Sequence, residues 1–179
     1  MQSEATENFS AEGIQSRWYV GQTRSRHEKA IAEQMDRRGI AHYLPVYESV
    51  SRWKDRRVRL QLPLLPGYIF VCIALRDRLN VLQVPGVTRL VSFCGRPASL
   101  STEEIAALQR GLSSGAQVEP CPFLGVGQLV KVRSGPLAGF SGYLLRRKQK
   151  DRLVISIEAI MRSFTAEISL DDIEIPRHF

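Results

Sequence analysis

Three runs of basic side chains carry the chemistry most visible in this chain. Arg24, Arg26 and Lys29 gather where a first helix should begin. Arg52, Lys54, Arg56, Arg57 and Arg59 surround Trp53, and Arg146, Arg147, Lys148 and Lys150 crowd a single turn. Guanidinium and ammonium groups neutralise phosphates and give salt-sensitive affinity, while an interleaved aromatic can stack on a base. Each run reads equally as a solvated turn or hairpin tip, and spacing leaves both readings open. The formal net charge of +7 and a pI near 9.7 favour a polyanionic partner, most simply nucleic acid.

Catalytic chemistry is not proposed by any motif. His27, His42 and His178 are far apart, and none stands near a Cys or Ser in a recognisable nucleophile setting. Cys72, Cys94 and Cys121 are odd in number and never form C-x-x-C, so neither a disulfide framework nor a zinc site follows. Glu103-Glu104 and Asp171-Asp172 are adjacent rather than facing, and read as helix-start and turn residues. No phosphate-binding loop occurs, and Gly125-x-Gly127 lacks the helix that a dinucleotide site needs. The expectation is a binding protein with no catalytic residues, metal or cofactor. No apolar run of about 18 residues suggests a membrane span. Met1 to Ala11 is polar and acidic, without the apolar core of a signal peptide, and residues 1–14 read as a disordered tail.

The elements that must position these residues change character along the chain. Arg17 to Gln22 reads as a strand. Ser25-x-x-Glu28 offers a capping box for a helix to Arg38, closed by Gly39. Ile40 to Val50 and Val58 to Leu62 look extended around the basic turn. Gly67 to Ile73 is almost wholly apolar, as a central strand covered on both faces would be. Arg76 to Gln83 reads as a short helix, Val87 to Phe93 as a strand, and Ser101-x-x-Glu104 as the cap of a helix ending near Leu112. Strands and helices thus intermix to residue 112, the pattern of an α/β or α+β sandwich. Residues 113–123 read as a structure-poor linker. Beyond it, Leu129 to Val132, Gly142 to Leu145, Leu153 to Ile157, Phe164 to Ile168 and Ile173 to Ile175 give five short strands, enough for a small SH3-like barrel.

Four stretches give these elements an identity. In Gly127 to Gly142 a strand runs into Gly135 and Pro136, and Gly139 and Gly142 bracket Phe140, a committed bend that resembles a KOW motif. RWYVGQ, LPLLPGYIFV, VPGVTRLVSFCGRPASLSTEEIAAL and that segment, in this order, resemble the NusG family of transcription elongation factors. The resemblance covers Arg17 to Pro176. It implies an α+β protein, with an NGN α/β sandwich over 15–112, the linker 113–123, and a KOW barrel over 124–179. Tyr68 and Phe70, two apart, share one side of a strand. They read either as core or as anchors of an apolar groove.

The family resemblance assigns roles residue by residue. Trp18, Tyr19, Leu65, Pro66, Tyr68 and Phe70 match the depression that receives the clamp helices of the RNA polymerase largest subunit. Binding there favours the elongating state, a population shift that suppresses pausing. HEKAIAEQMDRRGIAHYLPVYE is closer to specialised antiterminators of the RfaH, UpxY and LoaP type, with Asp77-Arg78-Leu79-Asn80 in place of RfaH's His-Thr-Thr-Thr. In such paralogs Arg24, Arg26 and Lys29 would touch the non-template DNA strand. Arg52, Trp53, Lys54, Arg56 and Arg57 are further DNA candidates. Arg146, Arg147, Lys148 and Lys150, with Ile160 and Arg162 in a later loop, are candidates for RNA, for termination factor Rho or for ribosomal protein S10. A monomer in the bacterial cytoplasm is implied. Strict alternation of Leu153, Ile155 and Ile157 favours the barrel over refolding into helices. The competing class is a ribosome-associated KOW protein that binds structured RNA.

Overall fold

The computed structural model describes residues 15–53, 56–93, 95–115, 118–121, 128–147, 150–157 and 162–174. Lys54, Cys94, Gly127, Lys148, Ile160 and His178, named above, lie outside the described residues. Two compact units emerge. One comprises Met1–Leu44 and Pro66–Thr102, the other Pro45–Leu65 and Glu103–Phe179.

In chain order the strands and helices begin with β1 (Arg17–Thr23), α1 (Glu28–Arg37), β2 (His42–Tyr43), β3 (Val46–Trp53), β4 (Arg56–Pro63) and β5 (Tyr68–Ile73). A 3-10 turn (Leu75–Asp77) leads into α2 (Arg78–Leu82), followed by β6 (Val87–Leu90), β7 (Ser92–Phe93), β8 (Arg96–Pro97), β9 (Ser99–Leu100) and α3 (Thr102–Ser113). The remainder is β10 (Val118–Cys121), β11 (Gln128–Val132), β12 (Ser141–Arg147), β13 (Lys150–Ile157), β14 (Arg162–Glu167), a 3-10 turn (Leu170–Asp172) and β15 (Ile173–Glu174).

The first unit is built on an antiparallel sheet in the order β2-β5-β1-β6, with β9 also pairing β1. Its core joins Tyr19, Ile69, Val71 and Ile73 from the sheet to Ile31 and Met35 from α1. Ile69 and Val71 are buried on the face of β5 that meets α1, while on the other face Phe70 is buried and Tyr68 and Cys72 are half-buried, so the expected cover on both faces is complete on one only. α1 stops as its sequence requires. Gly39, at φ +66°, donates to the Asp36 carbonyl at 3.0 Å, and Ile40 donates to Met35 at 2.9 Å. Those two bonds satisfy carbonyls that the helix end would otherwise leave orphaned. The start of α1 differs from the capping-box expectation. His27 occupies the cap without a side-chain bond to the helix's free N–H groups, and the Glu28 carboxylate is used elsewhere.

In the second unit, β3 and β4 form a hairpin whose strands run closer to the tip than composition suggests, with Arg52 opposite Arg57 and Trp53 opposite Arg56. Its base closes where Leu64 donates to the Pro45 carbonyl at 2.9 Å. The C-terminal strands form one six-stranded sheet, β10-β14-β13-β12-β11-β15. All five expected strands are present. The sixth, β10, falls in the stretch read as structure-poor, and pairs Val118 with Ala166 and Cys121 with Ser163. Pro120 is tolerated because β10 ends the strand order, where a missing N–H breaks no ladder on the outer side.

Candidate functional site

The register of β1 against β5 decides which candidates share a surface. Trp18 pairs with Cys72, Val20 with Phe70, and Gln22 with Tyr68. Directly opposed residues lie on the same side of an antiparallel pair, and their chain neighbours lie on the other. Trp18, Tyr68 and Phe70 therefore share one face. Tyr19 does not. It points to the α1 side and is only 3% exposed among Ile31, Met35, Ile69 and Val71, and so stands outside the shared face. Phe70 is also buried, 1% exposed, and stacks on Tyr43 with ring centroids 6.4 Å apart. Burial pushes the Tyr43 hydroxyl up to about 12. Trp18 and Tyr68 are half-buried, Pro66 is exposed, and Leu65, the last residue of its segment in the second unit, is buried.

The turn that delivers Tyr68 to this face is held at both polar atoms of Gly67. The Gly67 N–H donates to Glu28 Oε1 at 2.7 Å, and its carbonyl accepts from the Thr23 N–H at 2.8 Å. Gly67 sits at φ +85°, a conformation that a side chain would strain. Glu28 is 2% exposed, so a carboxylate has been taken from water to serve this turn. Sequence reasoning missed that role because the partner lies 39 residues away.

Arg24, Arg26 and Lys29 are exposed around the same junction. The Arg24 N–H donates to the Gly86 carbonyl at 2.9 Å, and Arg26 adopts φ +69°, so the loop is fixed rather than extended. A non-glycine residue in that region costs roughly 1 kcal/mol or more, a cost that surrounding contacts must offset.

Two further residues on the sheet escaped the sequence reading. Gln22 lies opposite Tyr68 on one side and opposite Arg89 of β6 on the other. Its Oε1 accepts from Arg89 Nε at 2.7 Å, and its backbone carbonyl accepts from the Thr88 hydroxyl at 3.0 Å.

The hairpin brings Arg52 and Arg57 into direct opposition along the backbone. Like charges facing across a ladder destabilise it unless an anion or solvent intervenes. Arg59 is partly neutralised by Glu48 at 3.5 Å, a solvent-exposed pair of small energetic worth. Val50 (59% exposed), Leu60 and Leu62 leave apolar surface on the same hairpin.

In the C-terminal sheet the glycine-rich bend is anchored to the second 3-10 turn. Arg133 donates from its backbone to the Asp172 carbonyl at 2.8 Å and from Nη2 to the Asp171 carbonyl at 3.0 Å, and the Ser134 hydroxyl donates to Asp172 Oδ1. Gly135 and Gly139 take positive φ there, at 80° and 101°, and exposed Pro136 lies between them. Gly142 belongs instead to β12, opposite Val130, and Phe140 packs edge-on to Phe164 at 6.2 Å in the core. Arg146 and Arg147 end β12 opposite Asp151 and Lys150, and exposed Arg162 opens β14.

Residues 16–109 match the family model described as NusG, transcription termination factor nusG. The chain belongs to the NusG family. NusG proteins are transcription termination and antitermination factors rather than enzymes, and this chain is one of them. It is 28% identical to the transcription termination/antitermination protein NusG of Vibrio vulnificus, over 92% of this chain and 98% of that one. The protein of the same description from Yersinia pestis matches to the same extent. A solved structure of Thermotoga maritima NusG, described by its domain interaction, superposes with a TM-score of 0.57 at 22% identity. It covers 92% of this chain and 99% of that one, and shares the fold. The NusG fold accounts for the antiparallel first sheet with its helices and for the barrel-like C-terminal strands. Among the described residues no group of His, Cys, Asp and Glu could hold a metal, and no helix is long and apolar enough to cross a membrane.

Proposed function

We propose that this chain is a specialised, antiterminator-type NusG protein that docks on the clamp helices of the RNA polymerase largest subunit through the Trp18, Tyr68 and Phe70 face. The observation that carries this reading is the shared face itself, with Tyr68 delivered to it by a turn clamped at both polar atoms of Gly67. Half-buried aromatics on a rigid sheet are good anchors, since little rotamer freedom remains to be lost on binding. Phe70 and Tyr43 form the support beneath the contact. The family match over 16–109 supports treating that stretch as one functional portion, even though its hairpin and α3 group with the C-terminal strands.

Arg24 and Arg26, on a loop held in place, and Lys29 in the first turn of α1 contact the displaced non-template strand, with Arg52, Arg56 and Arg57 as a second phosphate-binding set. The C-terminal sheet recruits a further partner, nascent RNA or a termination or ribosomal protein, through Arg146, Arg147, Lys150 and Arg162. Capture by immobilised clamp helices tests the central claim. The wild-type chain should bind, and folded Tyr68→Ala should lose most of that binding. Equal capture of the two would remove the face from consideration and leave a structured-RNA binder as the better account.

A further inference from the structure

Tyr68, Gln22 and Arg89 form a row across three adjacent strands, β5, β1 and β6, on one face of the sheet. Neighbouring strands are about 4.8 Å apart, so Tyr68 and Arg89 stand roughly 10 Å from one another, close to the width of a single helix with its side chains. Gln22 is held at its carbonyl by Thr88 and in turn holds Arg89 by Nε. The anchor is an uncharged amide. Among the described residues no ion pair involves Arg89, so its charge is uncompensated and its two terminal Nη groups keep their donors. A guanidinium fixed by one edge and open on the other is prepared for a bidentate carboxylate.

We propose that Arg89, oriented by Gln22, is a specificity-determining residue that receives an acidic side chain on the polymerase helix seated against Tyr68. The inference rests on the clamp-helix reading above. It deepens that reading by giving the apolar contact a charged rim. β6 ends the strand order of this sheet, which places Arg89 at the margin, where interfaces keep their polar contacts. A nucleic-acid phosphate is the lesser fit, because Arg89 lies in the row of Tyr68 rather than in the Arg24–Arg26 loop. Gln22 acts as a positioning residue, supplying direction rather than charge.

The experiment uses the full chain and a recombinant clamp-helix fragment, with affinities measured at low and high salt. Arg89→Ala should bind about 5- to 10-fold more weakly at ~0.1 M salt, the usual scale for one oriented charge pair, with the gap narrowing as salt screens it. Arg89→Glu should bind more weakly still. Arg89→Lys should not restore affinity, because an ammonium cannot keep the Gln22 bond and present a fork at once. Gln22→Ala should fall between wild type and Arg89→Ala. If Arg89→Ala and Arg89→Glu bind within about twofold of wild type while Tyr68→Ala does not bind, the proposal fails and the clamp-helix reading stands. If Tyr68→Ala also binds normally, both are overturned. Loss of single-stranded DNA binding by Arg89→Ala, with clamp-helix affinity unchanged, would reassign the residue to phosphate.

Discussion

Glu28 opens the first helix of this protein and closes a turn 39 residues later, its Oε1 accepting the Gly67 N–H at 2.7 Å. The bond makes the start of α1 and the approach to Tyr68 a single rigid piece. Removing the acceptor leaves a buried N–H unsatisfied, and hydrogen bonds to charged groups contribute about 1.5–3 kcal/mol. Glu28→Ala should therefore lose stability on that scale in chemical denaturation and weaken clamp-helix capture in parallel. Glu28→Gln keeps an oxygen in place and should recover most of both. Matching denaturation curves for Glu28→Ala and wild type would contradict this.

Gly111 offers a test within the second unit. In α3 an alanine normally gains about 1 kcal/mol over glycine. Here a Cβ at Gly111 would overlap Leu137 Cδ2, and Leu137 is itself buried beside the bend. The nearby Arg110 Nη2 donates to the Ala138 carbonyl at 3.2 Å, so the bend has little room to yield. Gly111→Ala should cost roughly 1 kcal/mol or more, the scale of overpacking. Gly111→Ala with Leu137→Ala should lose less than the sum of the single changes. Simple additivity would show that the overlap does not matter.

Tyr43 predicts behaviour in alkali. Burial raises its hydroxyl to about 12 in the folded protein, while the unfolded chain ionises near the ordinary value of 10.0. Between those values the folded state holds the proton that the unfolded state has released. The contribution is whole below about 10 and lost as pH rises through about 12. Stability should fall over that window, and Tyr43→Phe should flatten the fall. A late component in the phenolate absorbance titration, absent from Tyr43→Phe, is the direct check.

The opposed Arg52 and Arg57 predict a salt signature. If both meet phosphates of a single strand, Arg52→Ala with Arg57→Ala should lower the slope of log affinity against log salt by about 1.4. Titration of single-stranded DNA at several salt concentrations measures it, and an unchanged slope would return the hairpin tip to plain solvent.

Local patterns were legible in the sequence wherever the signal was local. Alternation in Leu153, Ile155 and Ile157 and the breakers Gly135, Pro136 and Gly139 sufficed for the C-terminal strands and their bend. Gly39 ended α1 as its backbone freedom predicts. What stayed hidden depended on distant partners. The Ser25-x-x-Glu28 spacing suggests a cap, but a glycine far along the chain claims the carboxylate. β10 carries a proline and no clear alternation, and exists because β14 offers an edge. Strand neighbours such as Trp18 and Tyr19 face opposite sides of the sheet, a separation that alternation alone makes legible. The Gln22–Arg89 pair needed the register of β6, which no local pattern carries.

β10 also sets the length of a leash. With Val118–Cys121 paired to β14, only residues 114–117 separate the end of α3 from the C-terminal sheet, a reach of roughly 17 Å when fully extended. One short, proline-containing strand thus keeps the C-terminal sheet on a short tether, beside the Arg110–Ala138 bond and the close approach of Gly111 to Leu137 that already join α3 to its bend.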